Sequence, residues 1–248
     1  MSILAAYKKR LGERDINEQG STKPRATDNI KFKPNGEINP FFGLTSIVWI
    51  EKETVLFKNL VAYQEAIKAD LKRAGLERFF AFLKPSSFHM TLCDILADPA
   101  PISSQEADLY VDEVQKVFSD NPEKKPISCE AKGVGLSSTI TVLVRFQEKE
   151  LEKILELEKM VKTATKVDVR DFTGHISLAY LVAEPGEARN SIKEILRSHI
   201  KKSFGSLTFS QFDMTCFTDM NTYIPLLSIN FVEDQVIRHD NATNCQLA

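Results

Sequence analysis

His89-Met90-Thr91-Leu92-Cys93-Asp94-Ile95-Leu96 decides how this chain is read, because its outline returns as His175-Ile176-Ser177-Leu178-Ala179-Tyr180-Leu181. Two of the four histidines in the sequence thus open the same frame, His-x-[Ser/Thr]-Leu. Successive side chains of a β-strand point to opposite faces. His89 and Thr91 therefore share one face of a strand, with Met90 and Leu92 anchoring the other, and His175 and Ser177 repeat the arrangement. Strict alternation also puts Cys93 beside His89 and Thr91, with Ala179 in the matching place of the second copy.

Outward from the motifs, each is preceded by a strand and a helix. Residues 41–50 are rich in β-branched and aromatic side chains, and 56–74 carry Leu56, Leu60, Tyr63, Ile67 and Leu71 at helical spacing before Gly75. In the second copy a strand over 139–146 and a helix over 149–165 lead to His175. Further strands are expected at 79–83, 127–136, 207–217 and 223–232, and helices at 104–118 and 187–202, with a turn at Asn121-Pro122. The pattern predicts an α+β fold of two pseudo-symmetric lobes, each an antiparallel sheet flanked by helices, with a cleft between them that gathers both imidazoles and both hydroxyls. The chain divides into an N-terminal helix and irregular arm over 1–40, one bilobal domain over 41–232, and a flexible tail over 233–248.

Lys and Arg number 32 against 34 Asp and Glu, so no broad basic surface is available to follow a long phosphate backbone. A nucleotide or a short RNA end fits this balance better than an extended nucleic acid. No segment resembles a membrane span or a secretory signal. The four cysteines, Cys93, Cys129, Cys216 and Cys245, are widely spaced, which predicts free thiols and a reducing, cytoplasmic setting. Cys245-Gln246-Leu247-Ala248 has the form of a prenylation box without an upstream polybasic run, and reads as a free thiol on a frayed tail.

Two histidines across a cleft suit cleavage of a phosphodiester, which needs a base for the attacking oxygen and an acid for the leaving one. Hydroxyls two residues further on can donate to the non-bridging oxygens. These residues resemble the 2H phosphoesterase superfamily, the LigT-like and cyclic-phosphodiesterase-like fold, whose name comes from paired H-x-[ST]-aliphatic motifs. The resemblance runs from about residue 40 to 232 and includes Gly133-Val134-Gly135 and the turn Phe217-Thr218-Asp219-Met220-Asn221-Thr222-Tyr223, which is similar to a poorly characterised bacterial branch. It implies metal-independent hydrolysis of 2′,3′-cyclic phosphates, or cleavage or ligation of 2′-5′ linkages. His89 and His175 would then be the acid/base pair, and Thr91 and Ser177 the phosphate holders. No cofactor is implied.

Phe88, Tyr180 and Tyr223 are candidates for stacking on a base, and Arg145, Arg170 and Lys84 for phosphate or ribose contacts. His199, near a helix end, reads as a cation at the C-terminal dipole, and His239 carries no assignment. A metal site built from the histidines with Asp94 or Asp171 is disfavoured, because neither H-x-x-x-H nor H-x-H spacing occurs and the i+2 partners are hydroxyls, poor zinc ligands. The rival reading is a non-catalytic nucleotide-binding or scaffold module on the same fold; retention of both imidazoles and both hydroxyls favours the enzyme.

Overall fold

A computed structural model describes residues 2–17, 30–98, 100–119, 125–168, 171–241 and 245. Helix α1 (Ile3–Gly12) starts where the Ser2 side chain accepts the Ala5 N–H, and buries Tyr7 and Leu11. Strand β1 (Phe42–Trp49) leads to helix α2 (Val55–Arg73), capped by Thr54 and turning inward the stripe Leu56, Leu60, Tyr63, Ile67 and Leu71. Gly75, at φ 69°, takes the left-handed turn that ends it. Short strand β2 (Phe80–Phe82) and a 3-10 turn over Pro85–Ser87 then precede β3 (His89–Asp98), which carries the first motif.

The chain continues through α3 (Ser104–Ser119), β4 (Ile127–Leu136), β5 (Thr139–Arg145) and α4 (Glu148–Thr165) to β6 (His175–Leu181), the strand of the second motif. Helix α5 (Arg189–Ser198) and strands β7 (Gly205–Phe209), β8 (Gln211–Asp219), β9 (Thr222–Asn230) and β10 (Gln235–Arg238) complete it. The strands join in one sheet, ordered β10-β9-β8-β1-β3-β6-β5-β4-β7, with β2 also on β6. The two halves expected as lobes are therefore continuous in hydrogen bonding, and the motif strands β3 and β6 are the seam. Helices α3 and α4 pack together, α4 lies on β3, and α2 packs on α5 and β7.

Three features depart from the sequence pattern. The single strand expected over 207–217 is two, because β7 pairs with β4 while β8 pairs with β1, in the other half. Only Ser210 separates them, so the sheet curls until its β7 edge meets the start of β8. Residues 235–238, expected in a flexible tail, form β10, which pairs along β9. Cys245 is bridged to Cys216, and both are buried, which replaces the free thiol read from the tail and removes the ground for a reducing compartment. Cys93 and Cys129 are free and buried.

The N-terminal segment is equally integrated. The Tyr7 hydroxyl donates to the Val144 carbonyl (2.7 Å) and accepts the Gly174 N–H (3.1 Å), so α1 is tied to the residue before His175. Among the described residues no helix is long and apolar enough to cross a membrane.

Candidate active site

Met90 on β3 pairs antiparallel with Ile176 on β6, and both side chains are fully buried in the core. Continuing that register, His89 falls opposite Ser177 and Thr91 opposite His175, all on the other face. An approximate twofold axis through the Met90/Ile176 pair thus relates the two motifs. Each histidine is partly accessible, as are both hydroxyl residues.

The rings are held alike. His89 Nδ1 lies 2.7 Å from the Ser87 carbonyl and His175 Nδ1 lies 2.7 Å from the Thr173 carbonyl, in each case two residues back. A carbonyl only accepts, so Nδ1 of each ring carries the proton and Nε2 of the neutral ring presents a lone pair. Among the described residues neither Nε2 atom, nor the hydroxyl of Thr91 or Ser177, has a hydrogen-bond partner.

Each motif strand then bulges. On β3, Ser46 pairs with Cys93 and Ile47 with Thr91, leaving Leu92 as the extra residue; on β6, Ile140 pairs with Ala179 and Thr141 with Ser177, leaving Leu178. Cys93 and Ala179 are consequently turned into the core, which corrects the placement of Cys93 beside His89. Asp94 and Tyr180 come to the histidine face instead. Side chains satisfy the carbonyls the bulges release: Thr45 and Ser46 hydroxyls donate to Cys93 O (3.1 and 3.3 Å), and the buried Gln64 amide donates to Leu178 O (2.9 Å).

The His89 end of the site is aromatic. The Tyr223 ring sits 4.5 Å from the imidazole and the Trp49 ring 6.1 Å, each edge-on, and Trp49 Nε1 donates to Asp213 (2.8 Å). The closing turn reaches the same end, where Asn221 Oδ1 accepts the Lys84 N–H at 2.8 Å beside Ser87. Burial in these surroundings pushes the His89 imidazole down to about 4, against the opposing pull of the Ser87 carbonyl; His175 and Lys31 lower it further and Asp94 raises it. Burial lowers His175 as well, with the Thr173 carbonyl and Asp94 opposing and the charges of Arg14 and Lys31 reinforcing. Burial also raises the Tyr223 phenol, with Tyr180, Asp94 and Asp219 adding to the rise.

Tyr223 and Tyr180, expected from sequence, thus stand on the histidine face. Phe88 does not: one residue before His89, it points to the opposite side and packs in the core against Phe57 (6.0 Å between rings). Arg145 is occupied elsewhere, bridging Asp15 (2.8 Å) and donating to the Lys132 carbonyl, so it ties the N-terminal segment to β5. Lys84 contributes its backbone N–H rather than its side chain, and Arg170 lies outside the described residues. His199 pairs with Asp70 (2.7 Å) at the end of α5, and His239 with Ser228 (2.8 Å). Sequence reasoning missed Lys31 and Trp49, and considered Asp94 only as a member of a metal site. The doubled apolar steps Leu92-Cys93 and Leu178-Ala179, which break the alternation, were the signal for Asp94. Among the described residues no group of three or more His, Cys, Asp or Glu is placed to hold a metal.

Residues 31–120 match a family model described as "2H-phosphodiest: Domain of unknown function (DUF1868)". No curated protein matches the chain. The fold is shared with the conserved protein of unknown function ATU0111 from Agrobacterium tumefaciens (TM-score 0.60, 18% identity, 83% of this chain and 93% of that one). TT0787 of Thermus thermophilus (TM-score 0.52, 15% identity) covers 76% of this chain and 97% of its own. E. coli LigT complexed with 3′-AMP superposes at a TM-score of 0.51 and 12% identity, over 77% of this chain and 99% of that one. The chain thus shares its fold with LigT and the two other proteins, and its residues 31–120, which include the first motif, match the 2H-phosphodiest model.

Proposed function

We propose that the protein is a metal-independent phosphodiesterase that opens a 2′,3′-cyclic phosphate, or cleaves a 2′-5′ phosphodiester, on RNA ends or small nucleotides. The observation that carries this reading is the twofold pairing of His89/Thr91 with His175/Ser177 about Met90 and Ile176. In-line displacement at phosphorus has the same symmetry, with the attacking and leaving oxygens at opposite apices and the non-bridging oxygens between them. One imidazole Nε2 takes the proton of the attacking water while the other ring, as its cation, gives one to the departing ribose oxygen. Thr91 and Ser177 donate to the non-bridging oxygens as their charge grows.

The chemistry needs only these groups. Hydroxyls are poor metal ligands but good donors to an anion. Tyr223, Trp49 and Tyr180 give an aromatic end against which a base can stack, consistent with a nucleotide and with a chain of net charge -2. LigT, of the same fold, has been solved with 3′-AMP and with phosphate.

The test is turnover of a panel of 2′,3′-cyclic nucleotides and a 2′-5′-linked dinucleotide in the presence of EDTA. Turnover that persists in the chelator is the expected result. Thermal stabilisation by the same nucleotides without turnover would replace the enzyme by a binding module.

A further inference from the structure

A cation that no sequence motif announces stands over this site. Residues 31–39 form a small hairpin: Phe32 bridges Ile38, Asn39 N–H donates to the Lys31 carbonyl (3.0 Å), and Gly36 turns at φ 84°. Phe32 is buried with its ring 5.2 Å from that of Tyr180, which seats the hairpin on the residue that the β6 bulge turns toward the histidines. Lys31, next in sequence and half-buried, places Nζ 5.2 Å from the Tyr180 ring centroid and 5.1 Å from that of Phe41.

Two aromatic faces hold an ammonium without cancelling its charge, unlike a carboxylate. Lys31 has no ion pair among the described residues, and both His89 and His175 feel its positive charge. Among the described residues, Asp94 also bears on both imidazoles, His175 on His89 and Arg14 on His175, with Tyr180 and Tyr223 on the same face. A cation held on Tyr180, whose charge is felt at both imidazoles, is what a phosphoryl group needs as its own charge rises in the transition state.

We propose that Lys31 is a further phosphate-binding residue of this enzyme, delivered by the 31–39 hairpin to the non-bridging oxygens beside Thr91 and Ser177. This rests on the phosphodiester reading above. It makes a segment ahead of the first sheet strand part of the site, and sets a preference for substrates whose phosphate is a free anion.

The test compares Lys31→Met, which keeps the apolar stem, and Lys31→Arg with the unaltered chain. Inorganic phosphate is titrated against each by following the imidazole signals of His89 and His175 by NMR, and turnover is measured on the best substrate of the panel. Expected for Lys31→Met are weaker phosphate binding, a rise in both imidazole pKa values, and a fall of about 10²-fold in kcat larger than any rise in KM. Lys31→Arg should restore most of the loss, at a melting temperature close to that of the parent. Unchanged phosphate affinity and kcat in Lys31→Met would overturn the assignment. Phosphate binding that depends on Lys31 in a protein that turns over nothing would sustain it while removing the phosphodiesterase reading.

Discussion

Met90 lies directly across the sheet from Ile176, and this one pair sets the geometry of both motifs. Its side chains fill the core beneath the seam while the histidines and hydroxyls surround its upper face. Truncating either member leaves a cavity under the site. Ile176→Ala should cost about 2–5 kcal/mol, whereas Met90→Leu, nearly conserving volume, should cost less than about 1.5 kcal/mol. Urea unfolding of the two variants checks the difference.

Both imidazoles are held below the ordinary histidine range by burial, His89 at about 4. The acid-acting ring therefore loses its proton on the acid side of neutrality, and kcat/KM should follow a bell whose maximum lies below about 6.5, the unperturbed imidazole value. A bound phosphate anion favours the imidazolium, so the kcat profile should lie at higher pH. Unfolding releases the depressed rings to take up protons near 6.5, so the unfolded state binds more protons below that pH. Folding stability from this source should accordingly fall as the pH drops from neutrality through about 4, a loss that His89→Gln should reduce.

Among the described residues, Asp94 is an anion that raises both histidines. Asp94→Asn should lower both imidazole pKa values in NMR titration and carry the kcat/KM optimum further to acid, with lower activity at neutral pH. A variant whose imidazoles titrate unchanged would separate Asp94 from the pair.

The Cys216–Cys245 bridge closes 29 residues that include β9 and β10. In denatured, unreduced protein two thiols, not four, should react with a thiol reagent. Cys245→Ser should lower stability by about 2–4 kcal/mol, read from denaturant melts under non-reducing conditions.

The motifs were legible because alternation survives from His89 to Leu92 and from His175 to Leu178, and most helices because Leu, Ile and Val recur at 3.6-residue spacing. Beyond Leu92 and Leu178 the bulges invert the faces, so strict alternation placed Cys93 at the site and passed over Asp94. Lys31 escaped because the hairpin that carries it is fixed by Phe32 against Tyr180, a contact between distant segments with no local periodicity. The same holds for Arg145, whose partner Asp15 lies far back in the chain. β10 is only Gln235–Arg238, too short to stand out from a polar tail until β9 offers it an edge.

The central claim is that His89 and His175 act as one unit. It is tested most directly by single- and double-variant kinetics in EDTA on the preferred cyclic or 2′-5′ substrate. His89→Ala and His175→Ala should each lower kcat by about 10²-fold or more, and the double variant should lose little beyond the worse single one, since removing either partner already disables the paired transfer. Wild-type turnover in either folded single variant would contradict the account.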